Sequence, residues 1–134
     1  MSVTDELLQN MEEYAARFDK GDLPLPPAKH IAILACMDAR LNPYGLLGLS
    51  EGDAHVIRNA GGVVTDDEIR SLAISQRLLG TDEIILIHHT DCGMLTFTDE
   101  ESIARIKASP FIPKKESVRG FVYDVETGRL TEVV

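Results

Sequence analysis

Three short apolar runs, each closed by polar or glycine-rich residues, constrain this chain more than any other feature: "HIAILACMD" (30–38), "AHVIRNAGG" (54–62) and "EIILIHH" (83–89). Strands buried on both faces read this way, and they belong to parallel sheets covered by helices. Between the second and third runs lies "TDDEIRSLAISQRLLG". There Thr65 and Glu68 form a capping box, Ile69, Leu72, Ala73 and Leu79 fall near one face, and Gly80 stops the helix. "DEESIARIKA" (99–108) supplies a second crossover helix, and a parallel crossover needs about a dozen residues or more. Near the end, "RGFVYDVETGRL" alternates and then turns at "ETG", which predicts a strand and hairpin at a sheet edge. The expectation is an α/β fold: a mainly parallel central sheet with flanking helices and an antiparallel edge strand near the C-terminus.

The N-terminal part stands apart from that body. Leu7, Leu8, Met11, Tyr14, Ala15 and Phe18 recur at helical spacing over residues 5–18, with Thr4 as the expected N-cap and Gly21 beyond the end. "GDLPLPPAKH" follows with three prolines, which favour extended backbone and give no ladder donor, so residues 1–28 read as a helix and surface connector. The helix's apolar stripe then needs a partner, and a homodimer or dimer-based oligomer is expected. At 134 residues the whole chain, 1–134, reads as one domain. A net charge of −9 without a basic run excludes a phosphate-backbone partner such as nucleic acid. The first residues lack a secretory signal and no run is long enough to span a membrane, so a cytoplasmic protein without membrane partners is expected. In such a reducing compartment, Cys36 and Cys92 read as metal ligands, catalytic thiols or core residues before they read as a bridge.

Cys36, Asp38 and Arg40 follow the apolar body of the first run, and His89 and Cys92 follow that of the third. Both groups therefore sit at carboxyl ends of strands, where open parallel sheets bind ligands. If these strands are neighbours at the point where strand order reverses, two thiolates and an imidazole converge on one ion. Taken singly, a cysteine ending a buried strand is most often a small core residue; His89 three positions before Cys92 reverses that balance. Thiolates with imidazole suit Zn²⁺, and three protein ligands leave the fourth position open, as catalytic sites require. Neighbouring strand residues point to opposite faces, so only one of His88 and His89 aims at the metal, and His89 is favoured by its short loop to Cys92. His30 and His55 begin strands and lie far from this end. Asp38 and Arg40 are either an ordinary surface pair or part of the site.

"CMDAR" (36–40) matches the Cys-x-Asp-x-Arg motif of the β-class carbonic anhydrases, "HTDCG" (89–93) matches their His-x-x-Cys-Gly motif, and "VIRNAGG" (56–62) resembles the loop between them. The chain resembles that family over about residues 4–98 and 118–130. The resemblance implies a Cys–His–Cys zinc site formed by Cys36, His89 and Cys92. It also implies that Asp38 either pairs with Arg40 or swings in as fourth ligand, a closed state. The implied reaction is reversible hydration of CO₂ to bicarbonate by a metal-bound hydroxide, with Asp38 and Arg40 as catalytic residues. Backbone amides around Gly61, Gly62 and Gly93 would support the substrate oxyanion. Some relatives hydrolyse carbonyl sulfide or carbon disulfide on the same zinc, and a non-catalytic zinc-binding regulator is a third reading. In the family a long helical stretch normally precedes the last strand, whereas here only "TFTDEESIARIKASPFIPKKES" intervenes.

Overall fold

The computed structural model of the chain describes residues 2–92 and 98–133. Among them, strands β1 (Ile31–Cys36), β2 (His55–Asn59), β3 (Glu83–His89), β4 (Ser117–Tyr123) and β5 (Leu130–Glu132) form one sheet in the order β2-β1-β3-β4-β5. The first four are parallel and β5 runs antiparallel to β4, which is the mixed sheet with a C-terminal antiparallel edge that the patterning predicts. From β1 the chain steps to one side to make β2, then returns past β1 to make β3. The order therefore reverses between β1 and β3, and the crevice of an open α/β sheet lies outside the carboxyl ends of those two strands.

The helices are α1 (Val3–Ala16), α2 (Pro43–Leu47), α3 (Asp66–Leu79) and α4 (Asp99–Ala108). Strand alternation divides the core in two. Ala32, Leu34, Ile84 and Leu86 meet Ile69 and Leu72 of α3 and Ile103 and Ile106 of α4 on one face. Ile33, Ala35 and Ile87 meet Leu41 on the other, with Leu46, Leu47 and Leu49 closing over them. Leu34, Leu72, Leu86 and Ile106 are fully buried, each worth about 1.5–3 kcal/mol of transfer free energy. On α3 the buried line differs from the apolar one read in the sequence. Ala73 and Leu79 are only half-buried, while Ser75 and Gln76 are buried because their polar atoms are satisfied. Ser75 Oγ pairs with Thr81 Oγ1 at 2.7 Å, and Gln76 exchanges bonds with the Lys114 backbone.

Three local expectations are corrected. Helix α1 starts at Val3 and is capped by Ser2, because the Ser2 hydroxyl accepts from the Asp5 amide at 3.1 Å while the Asp5 carboxylate accepts from the Ser2 amide at 3.0 Å. Thr4 lies inside the helix, and the last helical residue is Ala16. Strand β2 ends at Asn59, and "AGG" that follows it is a 3-10 turn, Ala60–Gly62. Helix α2 was not anticipated, although its signals are present: Asn42 caps it, Pro43 opens it and Gly48 ends it at φ +66°.

No residue of α1 is buried. Leu7, Leu8, Met11, Tyr14 and Phe18 stay 46–59 % exposed, and the helix end is tethered by Tyr14 and Lys20 reaching Glu51. Among the described residues, no helix is long and apolar enough to cross a membrane.

Candidate metal centre

The register Ala35↔Ile87 sets Cys36 beside the His88–His89 end of β3, and Cys92 follows three residues after His89. Their ligand atoms, Cys36 Sγ, Cys92 Sγ and a His89 ring nitrogen, all lie within 4.8 Å of one another. The two sulfurs are 3.9 Å apart and not in a disulfide. Two sulfurs about 2.3 Å from one tetrahedral zinc would be about 3.8 Å apart, so the spacing fits a shared ion. His89 supplies the second test. Its Nδ1–H donates to the Thr90 carbonyl at 2.7 Å, which leaves a lone pair on Nε2. That Nε2 is buried with no hydrogen-bond partner, and an orphaned acceptor beside two thiols suits a cation. The residues present fit a metal of the zinc type.

His88 points elsewhere, as strand alternation requires. Its Nε2–H donates to the Gly62 carbonyl at 3.0 Å, and its Nδ1 faces the Asp99 carboxylate at the start of α4. His30 and His55 lie at the opposite ends of their strands, and His55 Nδ1 pairs with Ser75 Oγ at 2.6 Å.

Asp38 and Arg40 form a two-point ion pair at the mouth of this cluster. Arg40 Nε donates to Asp38 Oδ1 at 3.0 Å, Nη2 donates to Oδ2 at 2.8 Å, and the Arg40 amide adds a third bond at 2.8 Å. The Arg40 side-chain and backbone donors hold the Asp38 carboxyl well below the usual carboxylate range. The same contacts, with Asp91, push the Arg40 guanidinium up. Asp38 Oδ2 is 3.7 Å from His89 Nε2, so the carboxylate stands beside the ligand set while Arg40 holds it.

Two participants were given no role from the sequence. Asp91 accepts from Arg40 Nη1 at 3.2 Å through its carboxylate and from Nη2 at 3.2 Å through its carbonyl, so Arg40 joins the loops carrying both halves of the cluster. Asp91 sits at φ +54°, which only a few non-glycine types tolerate. Arg58, on β2, reaches over the end of β1 to the carbonyls of Cys36, Asp38 and Leu41. Gly61 and Gly62 are buried in the 3-10 turn, and a Cβ on Gly62 would meet the Cys36 amide nitrogen at 2.9 Å. Close packing alone thus accounts for glycine at 62. Gly93 lies outside the described residues.

A central sheet whose reversal point gathers two cysteines, a histidine and an arginine-paired carboxylate defines an α/β protein with a candidate metal site. Comparison with known proteins narrows the class. The family described as Carbonic anhydrase matches residues 31–112. The chain is 57 % identical over 162 residues to β-carbonic anhydrase 1 of Mycobacterium tuberculosis, covering 99 % of each. The crystal structure of a carbonic anhydrase from Streptococcus mutans superposes with a TM-score of 0.92 at 42 % identity, covering 100 % of this chain and 99 % of that one. A carbon disulfide hydrolase from Acidianus is 48 % identical over 97 residues, covering 72 % of this chain and 46 % of that protein. The chain belongs to the β-carbonic anhydrase family. The 162-residue alignment with the mycobacterial relative exceeds the 134 residues present, so at least 28 of its positions have no counterpart here. That difference fits the short stretch between β3 and β4.

Proposed function

We propose that this chain catalyses the reversible hydration of CO₂ to bicarbonate at a zinc ion held by Cys36, His89 and Cys92. The observation that carries the reading is the convergence of those three ligand atoms with the Asp38–Arg40 pair poised 3.7 Å from His89 Nε2. Zinc bound there would supply an acidified water as nucleophile near neutral pH, as it does at about pKa 7 in a carbonic anhydrase of another class with three histidine ligands.

The chain's own residues then have distinct tasks. Asp38, kept ionised by Arg40, accepts the hydrogen bond of the attacking oxygen and turns its lone pair toward the carbon of CO₂. The new C–O bond forms as one C=O electron pair moves onto oxygen, and the proton of the water leaves for solvent. Arg40 also keeps Asp38 from the ligand cluster, so the open and closed arrangements compete for one carboxylate. Asp91 anchors Arg40 in the open arrangement. The exposed apolar face of α1 supports a homodimer in which that helix packs on the second copy.

Hydrolysis of carbon disulfide or carbonyl sulfide on the same ligands is the second reading, supported by the resemblance to the Acidianus hydrolase. The whole-length match to the mycobacterial relative favours CO₂. Stopped-flow assays with all three substrates decide between them, with Arg40→Ala as the matched variant. CO₂ hydration is expected to exceed the other two, and Arg40→Ala should lose at least about tenfold in turnover while keeping its zinc, a loss typical of groups that orient metal ligands. Turnover of carbon disulfide alone would transfer the assignment; parent-like turnover in Arg40→Ala would remove the gate.

A further inference from the structure

We propose that Arg58 is a positioning residue for this centre, acting through the backbone of the turn that carries Cys36, Asp38 and Arg40. The inference rests on the gated reading above and extends it to a residue that touches neither metal nor substrate. Strand β2 pairs with β1 in the register Ala35↔Arg58, which places the Arg58 side chain beside the exit of β1. From there one nitrogen, Nη2, donates to three carbonyls: Cys36 at 2.7 Å, Asp38 at 2.9 Å and Leu41 at 2.8 Å. Nε adds a bond to the Cys36 carbonyl at 3.0 Å. Three carbonyl oxygens aimed at one point repel one another unless a cation sits among them. Arg58 is that cation, and among the described residues no carboxylate forms an ion pair with it.

The consequence falls on Asp38. Its carbonyl is held twice, by Arg58 and by the Leu41 amide at 3.1 Å, and its Oδ1 accepts from the Arg40 amide at 2.8 Å. The Met37 amide is likewise tied to the Asn59 carbonyl at 2.8 Å. With the backbone so fixed, the freedom left to Asp38 is rotation of its side chain between Arg40 and the ligand cluster. The two-point grip of Arg40 requires both residues to project from the turn at one relative angle. Arg58 sets that angle, and so sets how much of the time Asp38 is held away from the metal. Without it the turn relaxes and the grip gives way, although the three ligands remain.

The test replaces Arg58 with Gln and with Lys in the full chain, each loaded with Co²⁺, whose visible absorption reads the coordination directly. Parent and Arg40→Ala spectra at the same pH mark the held and released conditions of Asp38, and Arg119→Gln, on β4 and paired with Glu132 away from the cluster, serves as the control. Arg58→Gln should keep about one cobalt per chain, shift its spectrum toward that of Arg40→Ala, and lose about 10- to 100-fold in kcat with a much smaller change in KM, the range seen when groups behind metal ligands are removed. Lys brings charge without the planar fork, so Arg58→Lys should fall between Gln and parent. A folded Arg58→Gln with the parent's spectrum and kcat overturns the proposal. So does Arg58→Gln that loses cobalt without a spectral shift in what remains bound. Should Arg58→Gln fail to fold, Arg58→Lys carries the same criteria. If Arg40→Ala and parent spectra coincide, the gated reading itself fails and this proposal goes with it.

Discussion

Replacing Gly62 with Ala separates two costs that glycine substitutions usually confound. Gly62 has φ +62°, in the left-handed region where a Cβ costs about 1–2 kcal/mol. The added carbon would also meet the Cys36 nitrogen at 2.9 Å, the Ile87 carbonyl oxygen at 3.1 Å and the carbonyl carbon of Ala35 at 3.2 Å. All three are backbone atoms of paired central strands or the residue that ends one, so none can swing aside as a flexible side chain would. Overpacking of this kind costs about 1–3 kcal/mol. The sum is about 2–5 kcal/mol. For a chain this long, 1 kcal/mol shifts Tm by about 3.5 °C, so Gly62→Ala should melt about 7–18 °C below the parent. Gly48 is the matched reference: its φ is +66°, and a Cβ there would meet nothing within 4 Å. Gly48→Ala should therefore pay the conformational cost alone, about 4–7 °C. Thermal unfolding by circular dichroism on chelator-treated protein removes any contribution from metal binding to the folded state. Equal losses in the two variants would refute the close-approach argument, and with it the packing account of glycine beside Cys36.

Cys92→Ser should lose most of its zinc by elemental analysis, since Cys36 and His89 alone do not complete a tetrahedral site; full occupancy would sink the ligand set. Glu68 offers a pH prediction. Burial pushes its pKa up, but hydrogen bonds from Thr65 and Asn59 outweigh that and leave it below the ordinary glutamate value. The capping box of α3 therefore contributes stability above the ordinary carboxylate range and loses it as pH falls through the folded-state pKa. Glu68→Gln should cost about 1 kcal/mol at neutral pH and flatten the acid limb of a urea-midpoint profile; an unchanged acid limb would contradict it. Deleting residues 1–22 should convert a dimer to monomer or aggregate by light scattering, and an intact chain already monomeric would end that reading.

What the sequence disclosed follows from how locally each feature is encoded. Strands β1 and β3 and the helix between β2 and β3 could be read because burial on both faces and a Thr65–Glu68 capping box leave short-range signatures. The cluster was legible because ligand chemistry restricts residue type: cysteine, histidine and cysteine at two strand ends have few other reasons to converge. Arg58 was not, since what its guanidinium reaches depends on the β1–β2 register, which no local pattern encodes. The partner of Asp91 was hidden for a related reason: its tie to Arg40 spans two loops that meet only in the folded chain. The start of α1 went astray because Thr4 and Ser2 are both acceptable caps, and the reciprocal bond to Asp5 decides for Ser2.

The distance along the chain between the two halves of the cluster bears on the order in which it assembles. His89 and Cys92 are three residues apart and need only the end of β3 to form, whereas Cys36 lies 56 residues from Cys92 and arrives when β1 docks against β3. Closing the longer loop costs about 2.5 kcal/mol more in chain entropy than closing the shorter one. A nascent chain therefore presents a local two-ligand chelate first and the complete set last. For the proposed zinc site, metal uptake at full affinity would then be a late event, one that reports the long-range strand pairing rather than the collapse that precedes it.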